Sequence, residues 1–160
     1  MTGLRPMPDS VLLHGTCVAI GDEGVLILGQ PGAGKSDLAL RLIDQPGSGL
    51  AGKLRAAELV ADDQVAIYRD RDTLIASAPP ALAGKIEIRG LGIASLAFRN
   101  SVPLVLAVQL ADAATIERLP DPGAAGFKVL GISLPLALID GAKPSAPARL
   151  RAALDWFGRR

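Results

Sequence analysis

The stretch Gly29-Gln30-Pro31-Gly32-Ala33-Gly34-Lys35-Ser36 has the spacing G-x-x-x-x-G-K-S. That spacing has a chemistry. Glycines let a loop curl until successive backbone N–H groups converge, which suits the oxygens of a phosphate chain. A helix starting where the loop ends adds the partial positive charge of its N-terminus. Lys35 reaches toward β- and γ-phosphates, and the Ser36 hydroxyl is a ligand for Mg²⁺. The plainer alternative is a glycine-rich turn that binds nothing. The strand before and the helix after favour the phosphate loop, so binding of nucleotide phosphates with Mg²⁺ is expected, which by itself does not choose among kinase, NTPase and regulatory switch.

A phosphate loop that transfers its phosphate needs acids. Leu59-Val60-Ala61 is a short apolar run ending in Asp62-Asp63. One carboxylate can sit near the metal, and the other can take the proton of an acceptor hydroxyl. A solvated Asp-Asp turn is the alternative. Glu87 and Arg89 alternate with Ile86 and Ile88, which predicts a strand with both charges on one face. There Glu87 is a candidate second metal ligand and Arg89 a candidate phosphate clamp. A solvated charge pair on a half-buried strand is the bland reading. His14 is the only histidine and Cys17 the only cysteine. A zinc site is therefore not expected, and Cys17 reads as a small core hydrophobe.

The elements that must position these residues follow from pattern. Val11–Ile20 reads as one strand and Gly21–Gly24 as a turn. Val25–Leu28 is wholly apolar, as in a strand buried on both faces. Leu38/Leu42 and Ala39/Ile43 stand at helical spacing, with Asp37 in the first turn. Pro46–Gly52 is a loop. Val65–Tyr68 and Leu74–Ala78 flank Arg69-Asp70-Arg71-Asp72 and predict a hairpin. Pro79–Gly84 is a turn or one short helical turn. Val102–Leu110 and Phe127–Leu138 read as strands. Pro144–Phe157 reads as a helix with Leu150, Leu154 and Phe157 inward and Arg149, Arg151 and Asp155 outward. Arg69–Asp72 and Arg159-Arg160 read as solvated surface. The early hairpin is antiparallel, while a phosphate-loop unit favours parallel neighbours. The fold expected is α/β, with a mixed sheet flanked by helices.

Composition bounds the answer. The chain has 160 residues, one domain's worth, and no internal boundary or repeat, so residues 1–160 are expected to form a single domain. Apolar residues are 49% and charged residues 21%, which argues against disorder. A net charge of +1 gives no pull toward nucleic acid or an anionic membrane, and 3% aromatics leave little for base stacking. The start MTGLRPMPDS lacks a signal peptide's apolar run, and no apolar stretch is long enough to span a bilayer. A soluble protein of a reducing cytoplasm is expected.

Taken in order, His14-Gly15, the loop Gly29–Ser36, Val60-Ala61-Asp62-Asp63 and Ile86-Glu87-Ile88-Arg89-Gly90-Leu91-Gly92-Ile93 resemble the catalytic domain of bacterial HPr kinase/phosphorylase. The last segment looks like that family's signature, and the likeness covers about residues 11–110. The resemblance implies a phosphate-loop kinase fold related to phosphoenolpyruvate carboxykinase. It implies an ATP-dependent kinase of a serine on HPr, the small phosphocarrier of the sugar phosphotransferase system, or on an HPr-like relative. It also implies the reverse reaction, phosphorolysis with inorganic phosphate that releases pyrophosphate. Lys35 then resembles the γ-phosphate-binding lysine, and Ser36 and Glu87 the Mg²⁺ ligands. Asp63 resembles the base for phosphorylation, and acid in reverse. His14 is similar to an active-site histidine. The family is commonly hexameric.

Two departures stand out. Longer members carry an N-terminal domain, for which this chain has no room, so regulation through it is expected to be absent or differently organised. They also carry a loop resembling Pro-Val-Arg-Pro-Gly-Arg-Asn, one arginine of which assists catalysis, above all in dephosphorylation. The matching region here, Leu134–Lys143, has none. Lys143 and Arg149 are the nearby candidates to replace them. Two rival readings remain: a small-molecule phosphate-loop kinase, against which stands the lack of an arginine-rich lid, and a non-catalytic nucleotide sensor.

Overall fold

The computed structural model describes residues 10–121 and 126–158. Eleven strands and two α-helices run in the order β1 (Ser10–His14), β2 (Thr16–Ile20), β3 (Glu23–Leu28), α1 (Lys35–Asp44), β4 (Ala57–Ala61), β5 (Gln64–Asp70), β6 (Thr73–Ser77), β7 (Lys85–Ile88), β8 (Gly92–Ser95), β9 (Val102–Leu110), β10 (Gly126–Val129), β11 (Ile132–Ile139) and α2 (Ala146–Gly158). Nine strands form one mixed sheet, with the path β1-β5-β6-β9-β3-β2-β4, and with β11 on β9 and β10 on β11. β7 and β8 form a separate hairpin.

Strand direction decides where the loops emerge. β2 is antiparallel to both β3 and β4, so β3 and β4 run the same way. β9 is parallel to β3, and β11 is parallel to β9. The C-terminal ends of β4, β3, β9 and β11 therefore lie along one edge of the sheet. That edge is where ligands of parallel α/β units bind.

The sheet has two buried faces. Val25 and Ile27 of β3 meet Leu38 and Leu42 of α1 and Leu150 and Leu154 of α2. Leu26 of β3 joins Cys17, Val65, Ile67, Leu74 and Leu134 on the other face. Burial on both faces explains why β3 shows no polar alternation. Burial also pushes the Cys17 thiol well above its usual range, as suits a core side chain.

Four expectations need correction. The run from Val11 to Ile20 is two strands, broken at Gly15, whose N–H donates to the Asp63 carbonyl (3.1 Å). A Cβ there would stand 3.0 Å from the Ile27 carbonyl, and the break lets β1 pair with β5 while β2 pairs with β3. The run from Phe127 to Leu138 is a hairpin, because Leu130 (φ 51°) and Gly131 (φ 79°) turn the chain between β10 and β11. Arg151 and Asp155 are not on the wet side of α2. Arg151 is 2% exposed and donates to the carbonyls of Leu42 (3.1 Å) and Arg55 (3.2 Å). Asp155 accepts from Arg55 at 2.9 Å and from the Leu50 N–H at 2.8 Å. Both hold the loop between α1 and β4, whose many backbone groups need partners. Finally, β7 ends at Ile88, so Arg89 lies in the turn to β8 and not on a strand face beside Glu87.

The antiparallel turn around Gly21, the hairpin of β5 and β6, and the strand Val102–Leu110 stand as expected. In the run Arg69–Asp72, Arg69 departs from a purely solvated side chain by donating to the Leu130 carbonyl at 2.9 Å. Arg159-Arg160 lie outside the described residues. No helix among the described residues is long and apolar enough to cross a membrane.

Candidate active site

The loop from Gly29 to Gly34 joins the C-terminal end of β3 to α1. Gly32 (φ 83°) and Gly34 (φ 100°) hold left-handed conformations, with open space where a Cβ would stand. Backbone conformation, not crowding, requires glycine at both. Gly34 precedes α1, and no side chain caps the helix. Its first N–H groups thus face the loop's hollow without a side-chain acceptor, which is the arrangement that suits an anion. Lys35 is 7% exposed, and its Nζ donates to the carbonyls of Gly29 (2.8 Å) and Gln30 (3.1 Å). The ammonium is thus held against the loop.

Asp62 and Asp63 follow β4 and diverge. The pairing of β4 with β2 slips by one residue: Val18 stands opposite Leu59 and Cys17 opposite Ala61. Val60 is the extra residue of this bulge. Leu59 faces the helices, while Val60 and Ala61 both face the opposite core. Simple alternation from Leu59 would send Asp62 away from α1. The bulge restores it to the helix side. There Asp62 is 5% exposed, and its Oδ1 accepts from Ser36 Oγ (2.7 Å) and Thr16 Oγ1 (2.9 Å). Its Oδ2 accepts from the backbone N–H of Glu87 at 3.3 Å. One buried carboxylate therefore ties the phosphate loop to β2 and to the hairpin of β7 and β8.

Asp63 points outward. Its φ of 70° turns the chain into β5, and its side chain is 64% exposed. His14, at the end of β1, brings Nδ1 to 3.6 Å from Asp63 Oδ1. This is ion-pair range for a protonated imidazole but too long for a hydrogen bond.

A cleft of about 630 Å³ opens on these groups. It brings together the predicted His14, the loop residues Pro31–Ser36, Asp63, Glu87 and Arg89. Gly29 and Gln30 lie behind it as acceptors for Lys35, and Asp62 lies beneath it. Thr16, Gly141 and Ala142, which residue pattern did not single out, also line the cleft. Thr16 follows His14-Gly15 directly, but nothing in the spacing pairs it with Asp62. Among the described residues no cluster of three or more His, Cys, Asp or Glu side chains could hold a metal by itself. The donors present are hard oxygens: Ser36, Asp62 and Glu87.

The family model described as "HPr Serine kinase C-terminal domain" matches residues 6–139. The chain belongs to this family. Among HPr kinase/phosphorylases, one from Oceanobacillus iheyensis is 48% identical over 82 residues, 51% of this chain and 23% of the relative. One from Bacillus cytotoxicus is 40% identical over 112 residues, 65% of this chain and 33% of the relative. The chain thus spans a third or less of these curated relatives. The solved structure of the Hpr(Ser) kinase/phosphatase from Coxiella burnetii matches with a TM-score of 0.76 and 26% identity. That match covers 93% of this chain and 97% of the other. The α/β fold with its mixed sheet is that of the HPr kinase family.

Proposed function

We propose that this domain is an ATP-dependent protein-serine kinase whose acceptor is HPr or an HPr-like phosphocarrier. The observation that carries the reading is the Asp62 carboxylate, which joins the Ser36 hydroxyl to the Glu87 backbone. It links the general phosphate loop to the segment typical of this family.

In this reading, the loop's backbone N–H groups and Lys35 hold the β- and γ-phosphates. A serine hydroxyl is a poor nucleophile until a base takes its proton. Asp63, exposed at the cleft mouth, takes that proton as the serine oxygen bonds to the γ-phosphorus and the bond to ADP breaks. His14 holds the Asp63 carboxylate in place, and Arg89 steadies the charge of the transferring phosphoryl group. Ser36, Asp62 and Glu87 would hold Mg²⁺, since it takes one or two carboxylates and completes its shell with phosphate and water. Bound there, the ion would neutralise charge developing on the phosphates.

In the reverse direction, Asp63 returns the proton to the serine oxygen as inorganic phosphate takes the phosphoryl group and pyrophosphate leaves. The segment Asp140–Lys143 carries no arginine, so the reverse reaction is the weaker one here. The single-domain reading of residues 1–160, a cytoplasmic location and a homo-oligomer, up to the hexamer implied by the resemblance, belong to the same proposal. So does the absence of a nucleic-acid or membrane partner.

The test is transfer of label from γ-labelled ATP with Mg²⁺ to a serine of purified HPr or its paralogue. Label on the carrier supports the kinase. Tight ATP binding with no label on any carrier favours the nucleotide sensor. Label on a small metabolite instead favours the small-molecule kinase.

A further inference from the structure

Successive residues hold the acidic pair. His14 stands 3.6 Å from the Asp63 carboxylate, and the Gly15 N–H donates to the Asp63 carbonyl at 3.1 Å. Thr16, the first residue of β2, donates from Oγ1 to Asp62 Oδ1 at 2.9 Å, across 46 residues of sequence. Thr16 is out of place by pattern. Val18 and Ile20 share its side of β2 and pack into the core under the helices, while Cys17 and Ala19 pack into the other core. Val18 and Ile20 are apolar and no more than 1% exposed, and Thr16 is also 1% exposed. Valine has nearly threonine's shape and would fill this place with no hydroxyl to satisfy. A buried hydroxyl costs free energy unless it is bonded. The hydroxyl thus serves the carboxylate it meets rather than the packing.

Acceptor counting shows what that service is. An ionised carboxylate offers about two acceptor sites on each oxygen. Asp62 Oδ1 takes hydroxyl protons from Thr16 and from Ser36 (2.7 Å), which fills it. Oδ2 takes the Glu87 N–H at 3.3 Å. Among the described residues, the acceptor capacity left on this carboxylate is therefore on Oδ2. Ser36 gives its single proton to Oδ1, so its own lone pairs stay free. The donors differ in what carries them. Ser36 stands in α1 at the end of the phosphate loop, and Glu87 belongs to the separate hairpin of β7 and β8. Thr16 stands on a fully buried strand of the main sheet. It is the donor that ties Asp62 to the rigid part of the fold, independently of the loop that a phosphate must touch.

We propose that Thr16 is a positioning residue for the transfer reaction: it anchors Asp62 to the main sheet, so that Oδ2 and the Ser36 hydroxyl stay open to a divalent cation. This rests on reading Ser36, Asp62 and Glu87 as the residues that would hold Mg²⁺. Thr16 acts through Asp62, as His14 acts through Asp63.

Cation binding tests this apart from turnover. Mn²⁺ is the probe, since it takes the oxygen sites that Mg²⁺ takes, and its free form is counted by electron paramagnetic resonance. The full chain, in excess over ADP, is titrated with Mn²⁺ as wild type, Thr16→Val, Thr16→Ser and Asp62→Asn. Thr16→Val is expected to lose about tenfold in Mn²⁺ affinity, the low end for a partner that orients a metal ligand. Its affinity for ADP without metal is expected to stay within about twofold of wild type. Thr16→Ser keeps the donor and is expected to hold Mn²⁺ within about threefold of wild type. If the valine variant does not fold, Thr16→Ala replaces it with the same expectation. Undiminished Mn²⁺ affinity in Thr16→Val, with a loss in Asp62→Asn, overturns the inference and leaves the cation site standing. A loss that Thr16→Ser shares in full marks a packing role and overturns it too. If wild type binds no Mn²⁺ beyond that held by ADP, or Asp62→Asn binds it as tightly as wild type, the cation site and the inference fall together. The expected losses without transfer to HPr uphold the role of Thr16 and sink only the kinase reading.

Discussion

Ser36 Oγ donates to Asp62 Oδ1 at 2.7 Å across 26 residues of sequence. The same oxygen accepts from Thr16, which is 1% exposed. Asp62→Ala would leave the Thr16 hydroxyl buried without its acceptor. A loss of about 1–3 kcal/mol is expected, read as a lower midpoint in urea. Thr16→Val should restore part of that loss in the double variant, since an apolar group of similar shape asks for no partner.

Asp63→Asn isolates chemistry from shape. Asp63 holds a left-handed backbone conformation, which asparagine adopts readily. Its side chain is exposed, so the fold should not notice the change. Transfer to the carrier is expected to fall about 10²–10⁴-fold with ATP affinity kept. Unchanged transfer would remove Asp63 from the base role. Lys35→Ala, run beside it, should lose nucleotide affinity itself.

Asp140 supplies a pH signature. The backbone N–H groups of Ala142 and Ala113 hold its carboxyl below the usual carboxylate range, with a smaller push from Lys143. A lowered folded-state pKa stabilises the protein above the unfolded-state value, and the effect is lost as pH falls through the folded-state value. Asp140→Ala should therefore lower the melting temperature near neutral pH. The gap from wild type should close in acid, below both pKa values. A gap that persists there would mean the side chain acts by packing alone.

Arg151 is a structural cation. Burial, and then repulsion from Arg55, pull its pKa below the usual guanidinium value. Even so, it supplies donors to two carbonyls on different segments. Arg151→Ala should cost about 3 kcal/mol through the void and the orphaned carbonyls. Arg149→Ala, on the exposed face of the same helix, should cost less than about 0.5 kcal/mol. Chemical denaturation of both variants checks the contrast.

Much of the site was legible in residue order. G-x-x-x-x-G-K-S between an apolar run and a helical repeat is local, and local rules govern it. The glycine conformations, the helix start and the apolar β3 depend on a few adjacent residues. The turn at Gly21 and the hairpin of β5 and β6 were legible for the same reason. The breaks at Gly15 and at Leu130-Gly131 were not. Each lies inside a run of apolar residues whose pattern does not change when the strand changes partner.

Tertiary structure decided the rest, because the deciding contacts join residues far apart in sequence. Sequence supplied Asp62 and Asp63 as an adjacent pair but not which one faces Ser36. A one-residue bulge at Val60 makes that choice, and bulges depend on pairing with a neighbouring strand. Helical periodicity placed Arg151 and Asp155 outward. The loop between α1 and β4 drew them in: Arg151 donates to the carbonyls of Leu42 and Arg55, and Asp155 accepts from the Leu50 N–H and the Arg55 guanidinium. The types and local spacing of the chemical groups are thus properties of the sequence. Their convergence on one cleft is a property of strand order and direction.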